Sequence, residues 1–265
     1  MSKYQSLFEV RGKIGAATFQ NRKGKLVIGK TSSLDKSRIE TGPEFVRTRE
    51  NNKEFGGSAK MGKSLRSGLA VAMMRFADSK FTGRLTGTFR RMLSAGTGIR
   101  GQRPIEVLAN KAQLVGTEFV KDNSFSSVFI ADLVMSVNGG RNEVTVDIAP
   151  FVIGGRIRVP QGATHWQLVL SISSLSDHVF NPVTLKYEPF DASLNNLNAT
   201  VETALISVQG AVTAPLQLVA TLPGSPVLTP NVGLVACLGI EFTQETSGLP
   251  YVLAQDNAMR VMDVY

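Results

Sequence analysis

Two periodicities divide this chain. In the first third, apolar positions recur at helical spacing; beyond about residue 125 they alternate, as strands do. From Phe45 to about Phe76, at about 100° per residue, Phe55, Ala59, Gly62, Leu69, Met73 and Phe76 fall on one side. Arg49, Lys53, Lys60 and Lys63 fall within about 40° of the opposite side. This predicts an amphipathic helix with a basic ridge, entered through Thr41-Gly-Pro-Glu44, where Pro43 and Glu44 suit a first turn. Gly56-Gly57 is its weak point, because each glycine costs about 1 kcal/mol relative to alanine in a helix interior. A second helical piece is expected from Pro104 to Leu114.

Ahead of the helix lie two short apolar runs, Lys13–Gln20 and Lys25–Lys30, joined by Asn21-Arg-Lys-Gly24. Apolar runs around a glycine-ended turn predict a β-hairpin. Downstream, Phe129, Ala131, Leu133, Met135 and Val137 alternate, then Asn138-Gly-Gly140 signals a turn, then Val144, Val146 and Ile148 alternate. Trp166, Leu168, Leu170 and Ile172 line one face of a further strand, followed by Val183, Leu185 and Tyr187. More strands are expected over 201–209, 214–222, 233–243 and 259–265. Both faces of 233–240 are apolar, which places that strand centrally; Asp191–Thr200 reads as a polar surface loop. Short strands with no helical period between them argue an antiparallel sandwich or barrel. The expected class is therefore α+β. Residues 1–112 form a basic β-hairpin and helices; residues 113–265 form an antiparallel, jelly-roll-like β-sandwich.

Charge sharpens this division. Residues 1–112 hold 23 Lys and Arg against 8 Asp and Glu, a net of +15, whereas residues 113–265 hold 6 against 13, a net of −7. Such a split suggests a basic segment that faces a partner and a neutral-to-acidic body. The 43% apolar and 19% charged content suits a globular protein. The single cysteine, Cys237, lies in an apolar run and reads as core; alone it makes no intrachain disulfide and no Cys-based zinc site. The N-terminal segment has no apolar h-region, and no apolar stretch approaches the roughly 20 residues of a membrane span. A cytoplasmic protein, or one carried within a released particle, is expected.

Candidate chemistry is sparse. Gly57-Ser-Ala-Lys-Met-Gly-Lys-Ser64 fits the P-loop pattern, but Arg47–Glu54 before it is too polar for the buried strand that a phosphate loop needs. Gly96-Thr-Gly-Ile-Arg-Gly101 fits a dinucleotide fingerprint without its strand, and reads instead as an anion-contacting loop among Arg90, Arg91, Arg100 and Arg103. His165 and His178 are the only histidines; nothing local presents a nucleophilic serine or a zinc-ligand set. No catalytic residue, metal site, cofactor or small-molecule substrate is expected. The candidate partner-contacting or phosphate-contacting residues are Arg47, Arg49, Lys53, Lys60, Lys63, Arg66, Arg84, Arg90 and Arg91.

The segments Ser32–Lys36, Phe45-Val-Arg-Thr-Arg-Glu-Asn51, Glu54-Phe-Gly56 and Gly62-Lys-Ser-Leu-Arg66 resemble a family of uncharacterised bacterial proteins. That family shares an N-terminal hairpin, an F-x-R-T-R-E-N…E-F-G…G-K-x-L-R core and a β-rich remainder. The resemblance covers about the first third of the chain, implies no activity, and implies that Gly62-Lys63 belongs to a helix. The charge split and the β-rich body lead to an expected function of non-catalytic self-assembly, as a subunit of a particle, tube or filament, with opposed charges favouring head-to-tail association. The alternative is sequence-independent nucleic-acid binding through the basic half. A nucleotide-binding enzyme is the third reading.

Overall fold

The computed structural model describes residues 11–22, 25–30 and 36–265. Packing divides the chain into two compact units at Arg49/Glu50.

In the first unit, β1 (Gly12–Ile14), β2 (Ala17–Arg22) and β3 (Lys25–Lys30) form an antiparallel sheet in the order β1-β2-β3, with Phe19 opposite both Gly12 and Ile28. None of the described residues in these strands is buried. A short helix α1 (Lys36–Thr41) follows, then a single 3-10 turn at Pro43–Phe45. The proline enters that turn, and α2 (Val46–Gly68) starts after it.

The second unit is built on α2 from Glu50 onward, α3 (Ala70–Phe76) and α4 (Phe81–Ala95). Helix α2 buries Glu54, Gly57, Ser58, Met61, Gly62, Leu65 and Gly68. The phase differs from the expected one by about a quarter turn. Phe55 is not core; it is 60% exposed. Extrapolation from Leu69 and Phe76 misplaces it because the helix breaks at Leu69 (φ −101°, ψ 28°), so the residues beyond follow a different axis. Gly56-Gly57 does not break α2. A Cβ on Gly57 would lie 2.6 Å from the Tyr187 ring, so the bare backbone is what lets that ring close on the helix. Helix α4 buries Phe81, Leu85, Thr88, Phe89, Met92 and Leu93, an amphipathic stripe absent from the sequence expectation. The helix expected over Pro104–Leu114 is only a 3-10 stretch, Leu108–Gln113, interrupted at Asn110.

The strands are β4 (Leu133–Val137), β5 (Glu143–Ile148), β6 (His165–Ser176), β7 (His178–Asn181), β8 (Lys186–Pro189) and β9 (Asn198–Glu202). Then come β10 (Ile206–Ser207), β11 (Leu216–Thr221), β12 (Val232–Thr246), β13 (Leu249–Val252) and β14 (Ala258–Val264). Single turns of helix, α5 (Phe125–Val128) and α6 (Ile153–Arg156), flank the β4–β5 hairpin. The strand expected from Phe129 begins only at Leu133: Phe129 follows α5 and makes an isolated bridge to Ile157, and Ala131 lies ahead of β4. Val183 and Leu185 sit in the turn between β7 and β8, exposed, not on a strand face. The expected polar loop ends in β9 from Asn198.

Among the described residues all strand pairings are antiparallel. A six-stranded sheet centres on β6 and β12, paired from Val232↔Ser176 to Thr243↔His165; β9 and β10 flank β6, while β13 and β14 flank β12. A three-stranded sheet runs β11-β5-β4. One core joins the two sheets: Val144, Val146 and Ile148 of β5 meet Trp166, Leu168, Leu170 and Ile172 of β6 and Leu234, Ala236 and Leu238 of β12. The other face of the large sheet, with Val169, Val235, Cys237 and Met259, shares a second core with Met61, Leu65, Phe89 and Met92 of the helices. Strands covered on both faces read as continuous apolar runs, which is why 232–240 shows no alternation. Each fully buried large side chain contributes about 1.5–3 kcal/mol.

Candidate functional site

Helix α2 separates two kinds of polar surface. On its inner side the charges are internal. The Glu54 carboxylate is fully buried: Oε1 accepts from the Arg103 Nε and from the Gly101 amide, both at 2.8 Å, and Oε2 accepts from Arg103 Nη2 at 2.9 Å and from Arg90. Burial pushes this carboxyl up, but the hydrogen bonds from Arg103, Arg90 and the Gly101 amide outweigh it and hold the pKa at about 2. The glycine-rich loop Gly96–Gly101 therefore does contact an anion, and that anion is the protein's own Glu54. Gly101 has φ +87°, and a Cβ there would approach Glu50 to about 3.1 Å, so a glycine is needed for the amide to reach. A second internal cluster ties α3 to the sheet: Arg75 donates Nε to Glu241 at 3.2 Å and Nη1 to Glu202 at 2.7 Å, and Gln167 donates to Glu241.

The P-loop-like segment Gly57–Ser64 lies wholly inside α2, so its amides belong to the helix rather than to an anion-cradling loop. Its serine has another neighbour. Ser64 Oγ lies 3.2 Å from His178 Nε2, and His178 Nδ1 lies 2.9 Å from the Ser176 carbonyl oxygen. The carbonyl requires a proton on Nδ1, which leaves Nε2 as acceptor for the serine hydroxyl. Burial lowers the His178 pKa to about 4, so the ring is neutral. Asn195 donates to the same hydroxyl at 3.4 Å. The pair resembles a nucleophile and its base, but the imidazole is fully buried and none of the three open cavities described below is lined by either residue. Its evident work is to pin α2 to β7.

The nine candidate cations separate by environment. Arg49 donates Nη1 to the carbonyls of Ile39 (2.9 Å) and Gly42 (2.7 Å), closing the C-terminal end of α1. Arg84 forms a pair with Asp78 at 2.8 Å and also donates to the carbonyls of Glu118 and Phe119. Arg90 is turned to Glu54. Arg66 donates to the Gly62 carbonyl and to Thr82, and Arg91 to Thr88. Arg47 is exposed. Lys53, Lys60 and Lys63 are exposed along the outer side of α2 and form no salt bridge among the described residues; Lys53 Nζ lies 5.0 Å above the Phe180 ring. The structure thus gathers Lys53, Lys60 and Lys63 on one ridge and directs Arg84 and Arg90 inward.

Among the described residues, cavities at the surface include three with polar or charged walls. A groove of about 660 Å³ follows the Gly83–Gly87 side of α4, walled by Arg84, Arg91, Glu118 and Lys121. A cavity of about 340 Å³ lies between α2 and the β7–β8 hairpin. The third, about 320 Å³, is bordered by Asp132, Phe151 and Arg156. Among the described residues no group of three or more His, Cys, Asp or Glu is placed to hold a metal ion, and no helix is long and apolar enough to cross a membrane. Sequence reasoning missed Glu54 as an internal anion and Lys186, which lines the second of these cavities. Glu54 shares the phase of Ser58, Met61 and Leu65, a lone carboxylate on a core stripe opposite an arginine-rich segment, and that was its available signal. Comparison with known protein families, with curated proteins and with solved structures returned no match to this chain.

Proposed function

We propose that the protein is a non-catalytic structural subunit that assembles with copies of itself into a particle, tube or filament. The observation that carries this reading is the first unit. Its three-stranded sheet has no buried residue among those described, while Ile14, Leu26, Val27 and Ile28 are exposed, Ile28 at 62%. A small sheet gains stability only when an apolar face is covered. A second copy supplies both that cover and the complementary charge, because this segment is basic and the chain beyond residue 112 carries a net of −7. In this reading the antiparallel sheets serve as a jelly-roll-like sandwich body, and the protein works in the cytoplasm or within a released particle. Light scattering of the purified chain at micromolar concentration should report species far larger than one 28.5 kDa chain, and monomer alone would overturn the reading.

A second reading, sequence-independent nucleic-acid binding, is favoured by the ridge of Lys53, Lys60 and Lys63, three exposed cations that form no salt bridge among the described residues. Such contacts neutralise phosphates without reading bases, so affinity should fall steeply with salt. Nuclease treatment that leaves a raised 260/280 absorbance ratio unchanged would count against it.

A further inference from the structure

The cavity between α2 and the β7–β8 hairpin is walled by three lysines from two distant parts of the chain. Lys53 and Lys60 project from the helix, and Lys186 from the first position of β8. Gly56 and Gly57 leave the helix side of the wall bare, Tyr187 lies beneath, and Leu185, exposed, stands at the rim. No carboxylate lines the cavity. Glu188, two positions along β8 from Lys186, has its oxygens occupied by Asn181 at 2.9 Å and Thr184 at 2.8 Å; those hydrogen bonds first, and then Lys60 and Lys186, favour its ionised form. Three ammonium groups against one carboxylate leave the site about two positive charges in excess.

We infer that this cavity is a binding site for a strand of linked phosphates, with Lys186 of the hairpin completing a clamp begun by Lys53 and Lys60. Two considerations select the ligand. Lys53 and Lys60 stand seven residues apart, on one side of α2 and separated by about 10.5 Å of helix rise. Phosphates in series can meet both and reach across to Lys186 without drawing the two side chains together. The two excess charges also call for two phosphodiester units rather than one carboxylate. Single-stranded nucleic acid and inorganic polyphosphate share this chemistry, and only the former offers apolar surface to Leu185 and Tyr187.

The site deepens the nucleic-acid reading and is independent of assembly, so scattering on the same samples keeps the two apart. The test uses the full-length protein and a fluorescent 12-nucleotide single strand, read by anisotropy at about 50 mM salt, where phosphate contacts are strong. Lys60→Gln and Lys186→Gln should each weaken binding several-fold, and each should lower the slope of log affinity against log salt by about 0.7. Lys80→Gln, an exposed lysine outside the cavity, should change neither. Displacement by unlabelled polyphosphate supports recognition of the phosphates alone; displacement by oligonucleotide but not by polyphosphate supports the nucleic-acid source. Binding that survives Lys186→Gln unchanged overturns the clamp while leaving the basic-ridge reading intact. Absence of any binding overturns both. Displacement by polyglutamate at equal charge overturns the phosphate selectivity.

Discussion

Arg103 meets Glu54 with two of its nitrogens, Nε on one carboxylate oxygen at 2.8 Å and Nη2 on the other at 2.9 Å, and this forked contact fastens the loop after α4 to the middle of α2. The fit is planar on planar, which a lysine cannot reproduce.

Removing the carboxylate should therefore leave two guanidinium groups facing a buried gap. Glu54→Ala is expected to cost about 3–5 kcal/mol, the range for breaking one side of a buried ion pair. Urea unfolding followed by circular dichroism measures it. A loss below about 1 kcal/mol would mean that water takes the place of the carboxylate.

The same group sets an acid limit. Its pKa is depressed in the fold, from 4.5 to about 2, so its contribution is fully present above pH 4.5 and fades as pH falls toward about 2. The slope of stability against pH in that window should flatten in Glu54→Gln. Thermal melts at half-unit steps between pH 5 and 2 provide the comparison.

Adjacent glycines should respond with opposite signs. Gly57→Ala drives a methyl group to 2.6 Å from the Tyr187 ring and should destabilise by about 1–3 kcal/mol, whereas Gly56→Ala meets nothing within 4 Å and should stabilise by up to about 1 kcal/mol. Denaturant midpoints of the two single variants decide it.

Phe55 and Phe89 make a second contrast. Phe55→Ala should change stability by no more than about 0.5 kcal/mol, because the ring is mostly in solvent; Phe89→Ala should cost about 3–5 kcal/mol, because its ring is fully buried. If Phe55→Ala leaves stability alone but shifts the size distribution, the exposed ring is part of an interface.

For assembly, Ile28→Lys is the informative substitution. It places a charge among the exposed apolar residues of β3 and should shrink the scattering species while leaving the melting temperature nearly unchanged.

Strands were more legible than helices in this sequence. Trp166, Leu168, Leu170 and Ile172 do face one core, and the apolar run at 233–240 does lie at the centre of its sheet, because burial on one face or two writes itself directly into alternation or its absence. Helix α2 was visible but mis-phased, since a break at Leu69 leaves no trace in residue type and its buried stripe sets only Met61 and Leu65 among Glu54, Gly57, Ser58, Gly62 and Gly68. Helix α4 was hidden by Gly83, Gly87 and its arginines, which mask a regular stripe of Phe81, Leu85, Phe89 and Met92. The outward lysines of the ridge could be read from helical phase alone. The inward arginines could not, because only tertiary contact reveals that Arg90 and Arg103 share one carboxylate.

Strand β12 lends alternate side chains to the two cores, Leu234, Ala236 and Leu238 to one and Val235 and Cys237 to the other. Neither layer can then melt while the other persists, for the strand that leaves one core has left both. Amide exchange across α4 and β5 should report a single opening free energy, and a nick at residues 112–113, where the charge changes sign, should yield no independently folded half. The border between positive and negative is written along the chain; the border of cooperative unfolding is not the same line.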